Sequence, residues 1–178
     1  IKFKRIMNKI IPLNPIIPYA TQNINQEDID AVVEVLSSEM LTQGPVLKKF
    51  EKNITDFSGA AFSVGVNSAT NALHIACLAL DLGDGDILWT SPISFVASSN
   101  CGIYCGASVD FVDIDPLTYN MSLEKLEQKL IYASASGKLP KIVIPVHLAG
   151  QSCDMEGLSK LGQKYGFSII EDASHASG

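Results

Sequence analysis

Arginine is almost absent from this sequence: Arg5 is the only one in 178 residues. A site that grips a carboxylate with a bidentate guanidinium therefore has no donor in the body of the chain. No run of about 18 apolar residues occurs, so no membrane span is expected. No GxGxxG follows a strand-like segment, which sets aside a nicotinamide- or adenosyl-cofactor domain. The four cysteines (Cys77, Cys101, Cys105, Cys153) form no CxxC pair and no zinc-like cluster with the three histidines. Reduced thiols in a cytoplasmic protein are the simplest expectation. The first residue is not Met, and Met7 is a candidate start. Pro12, Pro15 and Pro18 interrupt the apolar stretch after the basic N-terminus, so no signal peptide is expected.

Acidic residues outnumber basic ones, 19 to 13. Four of those cations (Lys2, Lys4, Arg5, Lys9) fall in the first ten residues, where there are no acids. The rest of the chain is more acidic still, which argues against a general binder of nucleic acid or anionic membrane. Hydrophobic residues make up 47% and charged residues 18%. That is ample material for a packed core in a chain of one-domain size.

Asn25 stands before Gln26-Glu27-Asp28 as a helix cap, and Ile29, Val32, Val33 and Leu36 repeat at helical spacing. Gly44-Pro45 opens a second helix, with Leu47, Phe50, Ile54 and Phe57 as its stripe and Ser58-Gly59 as its end. The pattern then changes to alternating strands and helices. Strands are expected over 61–66, 87–90, 108–112, 141–146 and 167–171, and helices over 70–82, 95–104, 122–129 and 155–165. Residues 134–139 read as a loop. Most of the strands lack period-2 alternation, which implies a mainly parallel sheet buried on both faces in an α/β fold. The sequence stops at Gly178, and no helix returns over the last strand, so the chain is expected to be the front part of a longer protein.

Ligands of open α/β sheets bind beyond the carboxyl ends of the strands. After the first expected strand stand Asn67-Ser68-Ala69-Thr70-Asn71, directly before a helix. Free N–H groups and a hydroxyl at a helix start can hold a phosphate without a cation; Ser68 or Thr70 as an ordinary N-cap is the plainer reading. After the second comes Phe95, an aromatic that could stack on a flat ligand or simply join the core. After the fifth comes Asp172, a carboxylate beside apolar chain that needs a partner, or a cap for the next helix. His175 could reach the same ligand. His147 follows the fourth strand and could belong to a turn, and His74 reads as packed or partly exposed. A phosphate cradle, a stacking aromatic and a strand-end carboxylate together match the needs of pyridoxal phosphate.

Leu41-Thr42-Gln43-Gly44-Pro45, Asn67-Ser68-Ala69-Thr70-Asn71-Ala72-Leu73, Ser94-Phe95-Val96-Ala97, Phe111-Val112-Asp113-Ile114-Asp115, Pro145-Val146-His147-Leu148-Ala149-Gly150-Gln151 and Glu171-Asp172-Ala173-Ser174-His175 follow one another in order. With these pieces the sequence resembles the DegT-like sugar aminotransferases, a fold-type I pyridoxal-phosphate family, from about Ile17 onward. The resemblance implies a three-layer α/β/α architecture. It also implies an N-terminal extension over 1–16, part of the large cofactor-binding domain over 17–178, and a small C-terminal domain beyond this chain.

By the same resemblance, Ala69, Thr70 and Asn71 hold the cofactor phosphate, Phe95 stacks on the ring, and Asp172 pairs with the ring nitrogen. His175 lies near the phenolic oxygen, while Tyr19, Leu41, Thr42 and Ala69 approach the nucleotide sugar. Pro18-Tyr19, Ser91-Pro92-Ile93-Ser94-Phe95 and Ser174-His175 are most similar to the 4-aminotransferase branch of pseudaminic acid synthesis. That branch implies glutamate and a UDP-linked 4-keto-6-deoxy-N-acetylhexosamine as partners, and a homodimer. The family's covalent lysine falls after the Asp motif, and no lysine stands between Asp172 and Gly178 here. The resemblance therefore puts that lysine downstream of Gly178, and no catalytic residue is expected in this chain. Alone, the chain is expected to lack activity. A dehydratase relative and an inactive binding module remain the other expectations.

Overall fold

The computed structural model describes residues 21–176. They fall into two compact units, the first ending at Gly65 and the second beginning at Val66.

The first unit holds two helices, α1 (Gln26–Leu36) and α2 (Pro45–Ser58). A reciprocal capping box starts α1: Asp28 N–H donates to Asn25 Oδ1 at 3.1 Å, and Asn25 N–H donates to Asp28 Oδ2 at 2.9 Å. Proline opens α2, and Gly59 closes it in the left-handed region at φ 74°. Neither helix buries a residue. Residues 61–66, expected as a strand, take no β pairing, and Phe62 and Val64 stay exposed. Apolar alternation makes a segment able to pair but cannot supply a neighbouring strand.

The second unit begins with α3 (Ala69–Ala79) and continues as β1 (Ile87–Thr90), α4 (Ala97–Tyr104), β2 (Ser108–Phe111), α5 (Leu123–Ser136), β3 (Ile142–Ile144), α6 (Met155–Tyr165) and β4 (Ser168–Ile169). The four strands form one parallel sheet in the order β2-β1-β3-β4. Adjacent residues of β1 point to opposite faces. Leu88 packs with Leu73 and Cys77 of α3 and Ala97 and Cys101 of α4. Trp89 packs with Leu126 and Leu130 of α5 and Leu158 and Leu161 of α6. The sheet is therefore the middle of three layers. Helix α4 joins β1 to β2 on one face, whereas α5 and α6 join β2 to β3 and β3 to β4 on the other. Right-handed crossovers require this change of face when the chain reverses direction across the sheet. The reversal leaves a crevice between the carboxyl ends of β1 and β3.

Helix α5 is longer than the sequence suggests, reaching Ser136 before Gly137 stops it at φ 66°. Serines at 134 and 136 look like loop residues. The Ser136 hydroxyl instead donates back to the Tyr132 carbonyl at 3.1 Å and stays within the helix. Leu126, Leu130 and Ala133 supply its buried stripe. The four cysteines are free thiols. A hydrogen bond with Cys101, together with burial, pushes the Cys77 thiol up and keeps it protonated.

Candidate functional site

The crevice at the β1/β3 reversal opens into a pocket of about 240 Å³. Ala69 and Thr70 reach it from the start of α3, Ser94 and Phe95 from the loop after β1, and Asp172 and His175 from the loop after β4. The segments that sequence reasoning singled out separately thus meet at one place.

Ser68 caps α3, its hydroxyl accepting from Asn71 N–H at 3.3 Å. The Asn71 side-chain amide donates to Asn67 Oδ1 at 2.6 Å. Asn71 is thereby committed to the cap and does not line the pocket. The N–H groups of Ala69 and Thr70 and the Thr70 hydroxyl carry no hydrogen bond among the described residues. Two such N–H groups at the positive end of a helix dipole, with a hydroxyl beside them, have the donors to receive an anion without a cation.

Phe95 is 73% exposed, so it is not a core residue. It stands at the rim with a ring face free. The plainer reading from sequence, that of a core aromatic, does not hold.

Asp172 is buried at 7% exposure. Its backbone is fixed by a parallel bridge to Val146: Asp172 N–H donates to the Pro145 carbonyl at 2.9 Å, and His147 N–H donates to the Asp172 carbonyl at 3.1 Å. Its carboxylate accepts from Ser98 Oγ–H at 2.7 Å on Oδ2, and from Ser174 Oγ–H at 2.6 Å and Ser174 N–H at 3.3 Å on Oδ1. Burying a carboxylate is tolerable only with such donors. Ser98 and Ser174 are donors to this carboxylate that sequence reasoning did not assign to it. The signal for Ser98 was its place four residues after Ser94, one helical turn away.

His175 lines the pocket, and its Nδ1 accepts from Ala149 N–H at 3.3 Å. The ring proton of a neutral imidazole then sits on Nε2. Ala149 adopts φ 53° and Gly150 φ 87°. A Cβ at Gly150 would stand 3.1 Å from the His175 carbonyl oxygen, so the loop needs glycine there for both space and conformation.

His147 lies at the strand end but outside the pocket. Its Nδ1 accepts from Cys153 N–H at 3.1 Å, which leaves Nε2 to donate to Glu171 Oε2 at 3.0 Å. The residue ties the loops after β3 and β4 together. His74 packs edge-on against Tyr104, with ring centroids 5.4 Å apart. Leu41 and Thr42 are exposed in the bend between α1 and α2. Tyr19 lies outside the described residues, and so does Gly178, the position beyond which the covalent lysine is expected. Lys160 and Lys164 on α6 pair with Glu156 and Glu127, and neither lines the pocket.

Comparison with known proteins gives this arrangement a context. SpsC, a spore coat polysaccharide biosynthesis protein of Bacillus subtilis (strain 168), is 41% identical over 163 residues, covering 92% of this chain and 40% of that protein. The UDP-4-amino-4,6-dideoxy-N-acetyl-beta-L-altrosamine transaminase of Campylobacter jejuni (serotype O:23/36, strain 81-176) is 38% identical over 162 residues, 91% of this chain and 42% of that one. Among solved structures, Helicobacter pylori PseC, an aminotransferase involved in pseudoaminic acid biosynthesis, superposes with a TM-score of 0.78 at 32% identity. That match covers 89% of this chain and 42% of PseC. The chain thus spans about two fifths of the length of the relatives it matches. The structural neighbours are fold-type I enzymes, and solved ones include pyridoxal-phosphate and pyridoxamine-phosphate forms. Residues 22–178 match the DegT/DnrJ/EryC1/StrS aminotransferase profile, and the chain belongs to that pyridoxal-phosphate-dependent family.

Proposed function

We propose that the full-length protein moves an amino group from glutamate to the C4 ketone of a UDP-linked 4-keto-6-deoxy-N-acetylhexosamine, using pyridoxal phosphate. One observation carries this reading. A free helix N-terminus, an exposed aromatic and a buried, hydrogen-bonded carboxylate line a single pocket at the sheet's reversal point. Its donors and acceptors suit the cofactor's groups. The Ala69 and Thr70 N–H groups and the Thr70 hydroxyl receive the phosphate, with Asn71 steadying the helix start. Phe95 covers a ring face. Asp172 accepts from the ring nitrogen and keeps it protonated. His175 presents Nε2–H, suited to the phenolic oxygen. The cofactor supplies an electron sink for the carbon that loses or gains the proton.

No lysine lines the pocket among the described residues. A lysine that holds the cofactor covalently and moves the proton therefore belongs to sequence beyond Gly178 in our reading, and the chain alone is inactive. Tyr19, Leu41 and Thr42 are proposed to approach the nucleotide sugar, and the active form is proposed to be a cytoplasmic homodimer. The C. jejuni relative, whose name specifies this amino sugar, supports the choice of substrate.

The test is to incubate the full-length protein with pyridoxal phosphate, glutamate and the UDP-linked keto sugar. The expected result is 2-oxoglutarate and a sugar amine in equal amounts. A sugar that has lost water instead would identify a dehydratase. Failure to retain pyridoxal phosphate, or to form either product, would overturn the proposal. Borohydride treatment followed by intact mass checks the covalent lysine separately, through one pyridoxyl group per chain.

A further inference from the structure

Asp172 is not held by its own loop alone. Ser98, on the first turn of α4, is completely buried, and its Oγ lies 2.7 Å from Asp172 Oδ2 across 74 residues of sequence. An ionised carboxylate has no proton to give, so Ser98 is the donor in this contact. A hydroxyl has one proton. With it committed to Asp172, Ser98 cannot also donate to the Phe95 carbonyl 3.2 Å away. Nor can it donate to Ser94 Oγ at 2.6 Å, so Ser94 must be the donor there. The three groups form a chain with one direction, Ser94 to Ser98 to Asp172. Each donor in such a chain polarises the next and strengthens its bond.

The acceptor count is also informative. A carboxylate offers about four lone-pair sites. Ser98 Oγ–H, Ser174 Oγ–H and Ser174 N–H fill three of them, leaving one for a further donor. Ser94 lines the pocket, whereas Ser98 stands behind it. Ser98 therefore acts on a bound ring only through Asp172.

We propose that Ser98, oriented by Ser94, is a positioning residue that keeps the Asp172 carboxylate aimed, with one acceptor site open to the ring nitrogen of the cofactor. The proposal rests on the assignment of Asp172 to that nitrogen. Ser174 fixes one carboxylate oxygen from within the loop, and Ser98 fixes the other from the opposite wall. With Ser98 removed, the buried oxygen loses its donor, and the carboxylate is free to rotate.

The experiment uses the full-length protein and Ser98→Ala, Ser98→Thr, Ser94→Ala and Asp172→Asn. Three quantities are read: thermal unfolding without cofactor, affinity of the cofactor-free protein for pyridoxal phosphate, and kcat against KM for glutamate. Ser98→Ala is expected to unfold near the wild-type temperature and to bind pyridoxal phosphate about 10-fold more weakly. Its kcat should fall about 10- to 100-fold, the scale of one hydrogen bond to a charged group. KM for glutamate should hold, because Ser98 does not line the pocket. Ser98→Thr keeps the hydroxyl and is expected to recover most of the loss. Ser94→Ala, which leaves the buried hydroxyl in place, should show the same changes at about a third of the size.

Wild-type kcat in Ser98→Ala would overturn the proposal, whatever its unfolding temperature, and so would a loss that Ser98→Thr does not recover. So would a normal Ser94→Ala if Ser98→Ala failed to fold. Asp172→Asn separates the two levels of the argument. Near-normal turnover in Asp172→Asn would remove the ring-nitrogen assignment itself. An inactive Asp172→Asn beside a normal Ser98→Ala would remove only the positioning role.

Discussion

The two ends of the parallel sheet offer opposite kinds of cleft. At the amino end lies the larger one, about 750 Å³, lined by Lys129, Lys138 and Lys141 together with Asp86 and Asp110. At the carboxyl end lies the smaller one, about 240 Å³, with no lysine or arginine among the described residues of its wall. Size and charge would favour the first, but hydrogen-bonding capacity favours the second. Lys129 sits 2.6 Å from Asp110 and over the Trp89 ring at 4.7 Å, and Lys141 sits 2.8 Å from Asp86. Those charges already answer one another. At the carboxyl end the Ala69 and Thr70 N–H groups are free, Phe95 has an open face, and Asp172 has one acceptor site to spare. A binding site is marked by what remains unpaired in a well-held geometry, and the carboxyl end meets that condition.

Asp172→Asn in the full-length protein is the sharpest way to break this comparison. The substitution keeps the shape and removes the charge. Turnover is expected to fall about a thousandfold, on the scale of losing a preorganised electrostatic partner, while thermal unfolding stays close to wild type. Lys129→Met at the other end should leave turnover unchanged. Equal losses from both would mean that the ends do not differ in function. Between the two ends lies the core. Leu126 and Leu158 are fully buried from adjacent helices on one face. Leu126→Ala is expected to cost about 2–5 kcal/mol in denaturant unfolding and to lower activity only through loss of folded protein. A change in kcat at full folding would show that the core couples to the site.

Much of this was legible in the sequence because helix and strand periods are local. The bounds of α6 and β1 and the capping of α1 by Asn25 follow from patterns a few residues long. So does the placing of Phe95 and Asp172 beyond strand ends, since topology sends every parallel strand's carboxyl end the same way, whereas Thr70 reaches the pocket from the start of α3 with no strand before it among the described residues. What failed depended on partners. Residues 61–66 look like a strand because Phe62, Val64 and Val66 alternate, yet no described strand pairs with them. The stripe of α1 was legible, but Ile29, Val32, Val33 and Leu36 all remain exposed. Periodicity says which face is apolar and is silent on what covers it. Ser98 was hidden for the same reason: its meaning lies 74 residues away in Asp172. Asn71 was expected to face the phosphate, but its backbone N–H donates to Ser68, its side-chain amide donates to Asn67, and it does not line the pocket.

A gentler probe of the carboxyl end is Ser68→Ala, which strips the cap from α3 and orphans the Asn71 N–H. The expected cost is about 1 kcal/mol of stability. Because that helix start is also the proposed phosphate seat, affinity for pyridoxal phosphate should fall alongside it. Ser122→Ala removes the same kind of cap from α5, where the Lys125 N–H would be orphaned. Its stability cost should be similar and its effect on cofactor affinity nil. If the two variants bind the cofactor alike, α3 is an ordinary helix start and the contrast between the ends weakens.

The smallest expected effect belongs to the amino end and depends on pH. The Lys141 ammonium beside Asp86, followed by a hydrogen bond from Gly83 N–H, holds the Asp86 carboxyl below its ordinary range. The unfolded chain, with an ordinary carboxyl near pH 3.9, then takes up a proton before the folded chain does. Stability gained from this group is complete above that pH and is lost as pH falls through the lower, folded value. Asp86→Asn should therefore unfold at a slightly lower temperature than wild type near pH 6, and the gap should close as the pH drops below about 4. Both side chains of the pair are about one-third exposed, so 1 M salt should shrink the gap as well. A gap that persists unchanged at pH 2.5 would show that Asp86 acts through its turn geometry with Gly83, and that the charges at this end are idle even toward each other.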